Sequence, residues 1–168
     1  MRGQEEPAAP IVDASRFRVA IVVSRFNSFV TSLLRDAAVE MLREAGVADS
    51  GIEIFDVPGA FEIPQAARAL AETGRFDAIV CLGCLIRGET AHFEYIATAV
   101  AHGITAAAAD TGVPMSFGVL TTNTPEQALE RSAAGPDNKG REAAAAAIQM
   151  AALYRSLLEG NAAPRLPG

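Results

Sequence analysis

The chain alternates short apolar runs with longer stretches in which apolar residues recur every three or four positions. The first short run, 18–23, is rich in β-branched residues and too short for a helix, which is typical of a buried strand. Runs at 52–57, 76–86 and 113–122 have the same character. Strands separated by helical segments predict parallel pairing through right-handed crossovers. We therefore expect a doubly wound α/β/α sandwich of three layers around a four-stranded parallel sheet.

The segments between and after these strands are predicted to be helices. Gly46 follows the first amphipathic segment and Gly160 the last one, where glycine is a common helix terminator. Thr124 and Pro125, with Gln127 three residues after the threonine, have the signature of a capped helix start. The expected helices cover about 29–45, a segment ending at Ala71, 90–109, a short segment after 124, and 139–159.

The length and composition fit one domain. With 168 residues, 17.5 kDa and 50% hydrophobic residues, the chain can form a sizeable core, and two full domains would be cramped. We expect a single domain over 15–160, flanked by a flexible N-terminal lead at 1–14 and a flexible tail at 161–168. Ile11 to Asp13 could add an edge strand to the sheet of a neighbouring subunit.

Charge and motif content exclude several classes of protein. A net charge of −6 argues against binding to a nucleic-acid backbone. The sequence has neither an apolar run of about 18 residues nor a secretory signal, so no membrane association and a cytoplasmic location are expected. Cys81 and Cys84 lie three apart on a predicted strand and would point to opposite faces, which argues against metal chelation and against a redox pair. The glycine-rich motifs of dinucleotide and P-loop sites are missing.

In such folds, ligands bind beyond the carboxyl ends of the strands, so the residues that follow each strand are informative. Phe26 and Asn27 follow the first strand, and Ala60, Phe61 and Glu62 follow the second. Two of these residues have a structural alternative to a binding role. Phe26 could pack on the helix as a hydrophobic staple, and Glu62 could stabilise a helix dipole from the first turn.

The third strand ends in a segment that runs through Gly88 into a predicted helix. Free N–H groups at the start of this helix, with the Thr90 hydroxyl, would make a seat for a phosphate. His92 lies beside that seat, and the ordinary pKa of histidine, near 6.5, suits proton transfer at neutral pH. The alternative is a solvated helix histidine.

The fourth strand carries Phe117, which we count with Phe26 and Phe61 as an aromatic residue at a strand exit, and the chain beyond it reaches Arg131 and Lys139. Arginine can bind phosphate oxygens with two donors, and the lysine could add a point charge. Either could equally be an ordinary surface charge. Lys139 is the single lysine of the chain, so an enzyme acting through a lysine Schiff base would have to use it. Because Lys139 is predicted at a helix start, outside a strand-end pocket, we rank that mechanism last.

Five segments together resemble the lumazine synthase family over about residues 16–158: SRFN, DVPGAFEIP, GCLIRGETAHFEYI, FGVLTTNTPEQALERS and NKGREAA. The resemblance implies a flavodoxin-like fold assembled as pentamers, with active sites between neighbouring subunits. It also implies condensation of 5-amino-6-(D-ribitylamino)uracil with 3,4-dihydroxy-2-butanone 4-phosphate to 6,7-dimethyl-8-ribityllumazine, without a cofactor. Whether the pentamers build an icosahedral shell, and whether that shell associates with riboflavin synthase, stays open.

The resemblance also implies roles for individual residues. His92 would transfer protons, Phe26 would stack on the pyrimidine ring and Arg131, from the neighbouring subunit, would bind the phosphate. Phe117 of that subunit would close over the substrate, with Asn27 and Lys139 as supporting residues. The remaining substrate-binding positions are Ala60, Phe61, Glu62, Cys84, Leu85, Ile86, Glu89 and Thr90.

Three positions depart from the family pattern: Ala91 replaces a common proline, Cys84-Leu85 replaces a pair of smaller residues, and Asp137 replaces a common glycine. Asp137 could weaken phosphate binding or alter the bend on which shell assembly depends. Two alternatives to an enzyme are a flavin- or lumazine-binding relative without turnover and a shell subunit with a vestigial pocket. The binding relative could dispense with His92 and Arg131, so their presence favours the enzyme.

Overall fold

A computed structural model describes residues 12–160. Its centre is a sheet of four parallel strands in the order β2-β1-β3-β4. The strands are β1 (Val19–Ser24), β2 (Ile52–Val57), β3 (Ala78–Ile86) and β4 (Met115–Thr122). This order and the helices on both faces confirm the expected flavodoxin-like α/β/α sandwich.

Five α-helices cover the two faces of the sheet. They are α1 (Ser28–Glu44), α2 (Ile63–Glu72), α3 (His92–Thr111), α4 (Pro125–Ser132) and α5 (Lys139–Leu158). Helices α1, α4 and α5 share one hydrophobic core with the sheet, while α2 and α3 share the other. The predicted cap of α4 is present, since the Thr124 hydroxyl accepts a hydrogen bond from the Gln127 N–H at 3.1 Å. Within residues 12–160, no helix has the length and apolarity needed to cross a bilayer.

Successive residues of the central strands enter opposite cores because side chains alternate along a strand. Cys81 packs in the core beneath α2 and α3, whereas Cys84 packs in the core beneath α1 and α5, as their spacing predicts. Burial raises the pKa of the Cys81 thiol to about 12 and that of Cys84 to about 11. Both thiols are therefore protonated near neutral pH, which makes them poor metal ligands and poor nucleophiles.

The start of α5 lies against the backbone of α1. A Cβ atom on Gly140 would come within 2.1 Å of the Leu34 carbonyl oxygen, so only glycine fits this contact. The preceding Asn138 is buried and caps α5, with its Oδ1 accepting from the Gly140 N–H at 2.7 Å. Its Nδ2 donates to the Ser132 carbonyl at 2.8 Å and ties α5 to the end of α4. Asn138 and Gly140 therefore hold Lys139 in place.

The ends of the chain and the start of α3 differ from the simplest expectation. Residues 1–11 and 161–168 lie outside the described residues, and with them Ile11 of the candidate edge strand. Ala14, which the sequence assigned to the flexible lead, is buried and donates its N–H to the Ala45 carbonyl at 2.9 Å. Helix α3 begins at His92, two residues later than predicted, and its N-cap residue, Ala91, has no side-chain oxygen to cap it.

Candidate active site

The strand order reverses between β1 and β3, so the exits of these two strands flank a crevice at the carboxyl edge of the sheet. Asn27 spans it, with its Nδ2 donating to the Cys84 carbonyl at 2.9 Å. Asn27 adopts a left-handed conformation with φ 61° and ψ 44°, which asparagine tolerates better than most residues. Among residues 12–160 it is the one non-glycine residue with a positive φ. The amide therefore fixes the exit of β1 against that of β3.

The exits of β1 and β2 are also joined through the backbone. The Arg25 N–H donates to the Val57 carbonyl at 2.8 Å, and the Phe26 N–H donates to the Pro58 carbonyl at 3.1 Å. These bonds continue the pairing of β1 with β2 beyond the last strand residue. The ring of Phe26 is 67% exposed, so it does not pack as a buried hydrophobic staple.

A 3-10 turn, Ala60–Glu62, follows β2 and carries the second exposed phenylalanine, Phe61. Glu62 closes this turn, since its Oε2 accepts from the Gly59 N–H at 3.0 Å. Glu62 therefore has a structural role, because this local hydrogen bond stabilises the turn. The same side chain also faces the cavity described next.

One cavity of about 460 Å³ collects most of the predicted residues from the first three strand exits. Eight predicted residues line it, of which Ala60 is itself buried: Phe26, Ala60, Phe61, Glu62, Leu85, Ile86, Thr90 and His92. Gly59, Gly88, Phe93 and Ile96 line it too and were missed as site residues. Ile96 lies four residues after His92, so helical spacing would have identified it, whereas no spacing signal from His92 identifies Phe93, one residue further on.

Three predicted residues from the same strand exits, Cys84, Glu89 and Asn27, are not part of the cavity's lining. Cys84 is buried, and its carbonyl is the acceptor for Asn27. Glu89 is exposed on the turn before α3. Asn27 contacts the Cys84 carbonyl across the crevice and so holds the two strand exits together without lining the cavity.

The other predicted residues lie beside β4, the strand at one edge of the sheet. Phe117, Arg131 and Lys139 line a groove of about 810 Å³ between β4 and α5. The Arg131 Nη1 donates to the Gln127 carbonyl of its own helix at 3.1 Å, and Lys139 pairs with Glu142 at 2.6 Å. The groove shares no lining residue with the cavity. Within one chain, the candidate residues therefore form two groups, one lining the cavity and the other lining the groove.

The expected position of Phe117 at a strand exit is wrong. Phe117 pairs with Cys81, whereas Leu85 at the cavity pairs with Thr121, four residues further along β4. That offset corresponds to about 13 Å at 3.3 Å per residue. Strand β4 continues to Thr122 because its last residues pair with the end of β3, and this leaves Phe117 in the middle of an edge strand.

Within the described part of the chain, no three His, Cys, Asp or Glu side chains converge in an arrangement that could hold a metal ion. The cavity instead offers two exposed aromatic rings, a carboxylate, a hydroxyl and an imidazole. These groups suit a flat, polar organic molecule that reacts by proton transfer. Together with the switch-point location, they define a small-molecule enzyme site on a flavodoxin-like sheet.

Comparison with known proteins identifies the family. The profile of 6,7-dimethyl-8-ribityllumazine synthase matches residues 16–155. A protein of that name from Syntrophus aciditrophicus (strain SB) is 49% identical over 144 residues, which cover 86% of this chain and 94% of the relative. The chain belongs to the 6,7-dimethyl-8-ribityllumazine synthase family.

Among solved structures, a GDP-L-fucose synthetase from Naegleria fowleri bound to NADP aligns with a TM-score of 0.36 and 14% identity. The alignment covers 96% of this chain and 52% of that one. Similarity at this level supports no conclusion about shared fold or function.

Proposed function

We propose that this chain condenses 5-amino-6-(D-ribitylamino)uracil with 3,4-dihydroxy-2-butanone 4-phosphate to 6,7-dimethyl-8-ribityllumazine in riboflavin biosynthesis, releasing phosphate and water. The observation that carries the proposal is a single cavity that combines Phe26, Glu62 and His92. An exposed aromatic ring suits stacking on a flat pyrimidine, and a carboxylate suits the hydroxyls of a ribityl chain. Family membership supports the same reaction.

The chemistry asks little of the protein beyond positioning and proton transfer. The amine of the uracil attacks the carbonyl of the phosphorylated ketone to form an imine with loss of water. Phosphate is then eliminated, and ring closure completes the lumazine with a further loss of water. All new bonds form between the substrates, so we assign His92 to proton transfer and assign no residue to a covalent intermediate.

A lysine Schiff base receives no support from the geometry. Lys139 lies in the groove beside β4, is paired with Glu142, and does not line the cavity that holds His92.

Arg131 and Lys139 are proposed to bind the phosphate in the active site of a neighbouring subunit, which Phe117 also closes. Support comes from the position of these three residues, because the groove that they line is distinct from the cavity of the same chain. A ring of copies, each giving its groove to the cavity of the next, would complete every site. We propose a homopentamer on the basis of these two separate surfaces and of family membership, and we propose that it works in the cytoplasm. A shell built from such pentamers, and its association with riboflavin synthase, stay predictions.

The reaction is tested by mixing the purified protein with both substrates and following the fluorescence of the lumazine. We expect a rate well above that of the spontaneous condensation. A rate equal to the spontaneous one would contradict the enzyme and favour the flavin- or lumazine-binding relative. Tight binding of the lumazine without turnover would identify that alternative directly.

The shared site is tested by mixing two impaired variants. Phe26→Asp would disable the cavity and leave the groove intact, whereas Arg131→Ala would do the reverse. In mixed oligomers formed by refolding equal amounts together, about a quarter of the interfaces would pair two intact faces and recover activity. Mixtures no more active than the separate variants would contradict a site made from two chains.

A further inference from the structure

The turn between β3 and α3 contains an arginine, Arg87, that does not line the cavity and was not predicted as a site residue. Its backbone N–H donates to the Thr122 carbonyl at 2.8 Å, which extends the pairing of β3 with β4. Its side chain then contacts two parts of the molecule. The Nε donates to Asn123 Oδ1 at 3.0 Å, and Nη1 donates to Glu94.

A third contact involves the face of the guanidinium. Its central carbon lies 4.8 Å from the centroid of the Phe93 ring, within the range of a cation–π interaction. Phe93 and Glu94 both belong to the first turn of α3, directly after His92. Asn123 belongs to the segment that follows β4. Arg87 therefore joins the start of α3 to the end of the neighbouring strand.

The start of α3 needs such a connection. Its N-cap residue, Ala91, offers no side-chain hydrogen bond, and the residues before it, 87–91, are exposed. An uncapped first turn leaves free N–H groups and tends to fray. This is the turn that carries His92 and Phe93 into the cavity.

We infer that Arg87 is a positioning residue, which fixes the first turn of α3 and so holds Thr90, His92 and Phe93 in the cavity. The inference rests on the proposed function for its kinetic consequences. Arginine suits the role because its fork donates in two directions while its face stacks on a ring. Lysine would keep the charge near Glu94 but would lose the fork and the planar stack.

An ordinary surface ion pair would have little effect, and the chain contains a matched example. Arg68 makes two ionic contacts, to Glu72 and Asp110, where Arg87 makes one, and its side chain is 48% exposed against 46% for Arg87. Arg68 connects α2 to the far end of α3 and does not line the cavity. Exposed pairs of this kind contribute little to stability on average. Arg68→Ala is therefore the control for loss of a doubly paired surface arginine.

The first experiment compares steady-state kinetics of Arg87→Ala, Arg87→Lys and Arg68→Ala with the wild type. We expect Arg87→Ala to lower kcat/KM for the phosphorylated substrate about tenfold, because displaced reacting groups are costly. The KM for the ribitylaminouracil should change less than about twofold, since Phe26, Phe61 and Glu62 lie on other segments. Arg87→Lys should stay impaired and Arg68→Ala should resemble the wild type.

The second experiment measures amide hydrogen exchange of residues 88–96 in the same proteins and does not depend on turnover. Exchange should be at least about fivefold faster in Arg87→Ala than in the wild type, and unchanged in Arg68→Ala. If Arg87→Ala fails to fold, Asn123→Ala removes one contact alone and should give a smaller change in the same direction.

Unchanged exchange in this segment would overturn the inference, as would kinetics of Arg87→Ala that match Arg68→Ala. A wild type without activity would instead count against the proposed function, and the exchange result would still decide the role of Arg87.

Discussion

The cavity at the strand exits and the groove beside β4 hold their polar groups in different ways. Around the cavity, hydrogen bonds connect separate segments of the chain: Asn27 bonds to Cys84, and the Phe26 backbone bonds to Pro58. In the groove, Arg131 and Lys139 contact only residues of their own helices in the interactions given above. The groove is also larger, at about 810 Å³ against about 460 Å³. The cavity is thus held together by bonds between distant segments of the chain, whereas the charges of the groove are held only by contacts within their own helices.

The largest expected effect comes from removing a groove charge. Arg131→Ala should raise the KM for the phosphorylated substrate about 10- to 100-fold, because hydrogen bonds to charged groups contribute about 1.5–3 kcal/mol. The KM for the ribitylaminouracil should change little, and Arg131→Lys should lie between the alanine variant and the wild type. Steady-state kinetics with each substrate varied in turn would measure this. Equal KM values in the wild type and Arg131→Ala would remove this residue from the phosphate site.

The second prediction concerns the packing beneath the groove. Gly140→Ala should lower the free energy of unfolding by about 3 kcal/mol, because the added Cβ collides with the Leu34 carbonyl and the backbone must move. Urea denaturation would measure the loss. Gly88→Ala is the control, since nothing lies within 4 Å of a Cβ there. Equal stability of the two variants would contradict this prediction and would show that α5 can shift away from α1 at little cost.

Much of the fold could be predicted because its signals are local. The spacing of apolar residues located every strand and helix, and the three-residue separation of Cys81 and Cys84 placed them on opposite faces. The start of α3 was missed by two residues because Ala91 gives no capping signal. The contact of Gly140 with α1 was also beyond prediction, since it joins residues far apart in sequence.

The candidate site was predictable to a smaller extent. Residues next to strand ends, such as Phe61 and His92, could be selected because parallel strands bring their carboxyl ends to one edge. Arg87 could not, because its partners Glu94 and Asn123 are brought together only by the pairing of β3 with β4. Phe117 was misplaced although the predicted run, 113–122, already put it inside the fourth strand, five residues before the end that pairs with Ile86.

The third prediction tests how firmly the cavity is organised. Asn27→Ala should lower the free energy of unfolding by about 2 kcal/mol, through loss of the bond to Cys84 and strain at a positive φ. Asn27→Gly loses the same bond but tolerates the conformation, so it should cost about 1 kcal/mol. Thermal or urea unfolding of both variants would separate the two contributions. Identical losses would mean that the left-handed conformation carries no strain, and no loss in either would mean that the crevice does not depend on this amide.

The smallest expected effect belongs to His92, the residue proposed to transfer protons. His92→Ala should lower kcat only about three- to tenfold, below the usual contribution of general acid–base catalysis, because the substrates bring their own amine and carbonyl and condense without the enzyme. His102→Ala, ten residues along the same helix and outside the cavity, is the matched control and should leave kcat unchanged. A loss greater than about 100-fold for His92→Ala would show that proton transfer limits the reaction. In that case the contribution of the cavity would exceed that of the groove, and the order of these effects would be reversed.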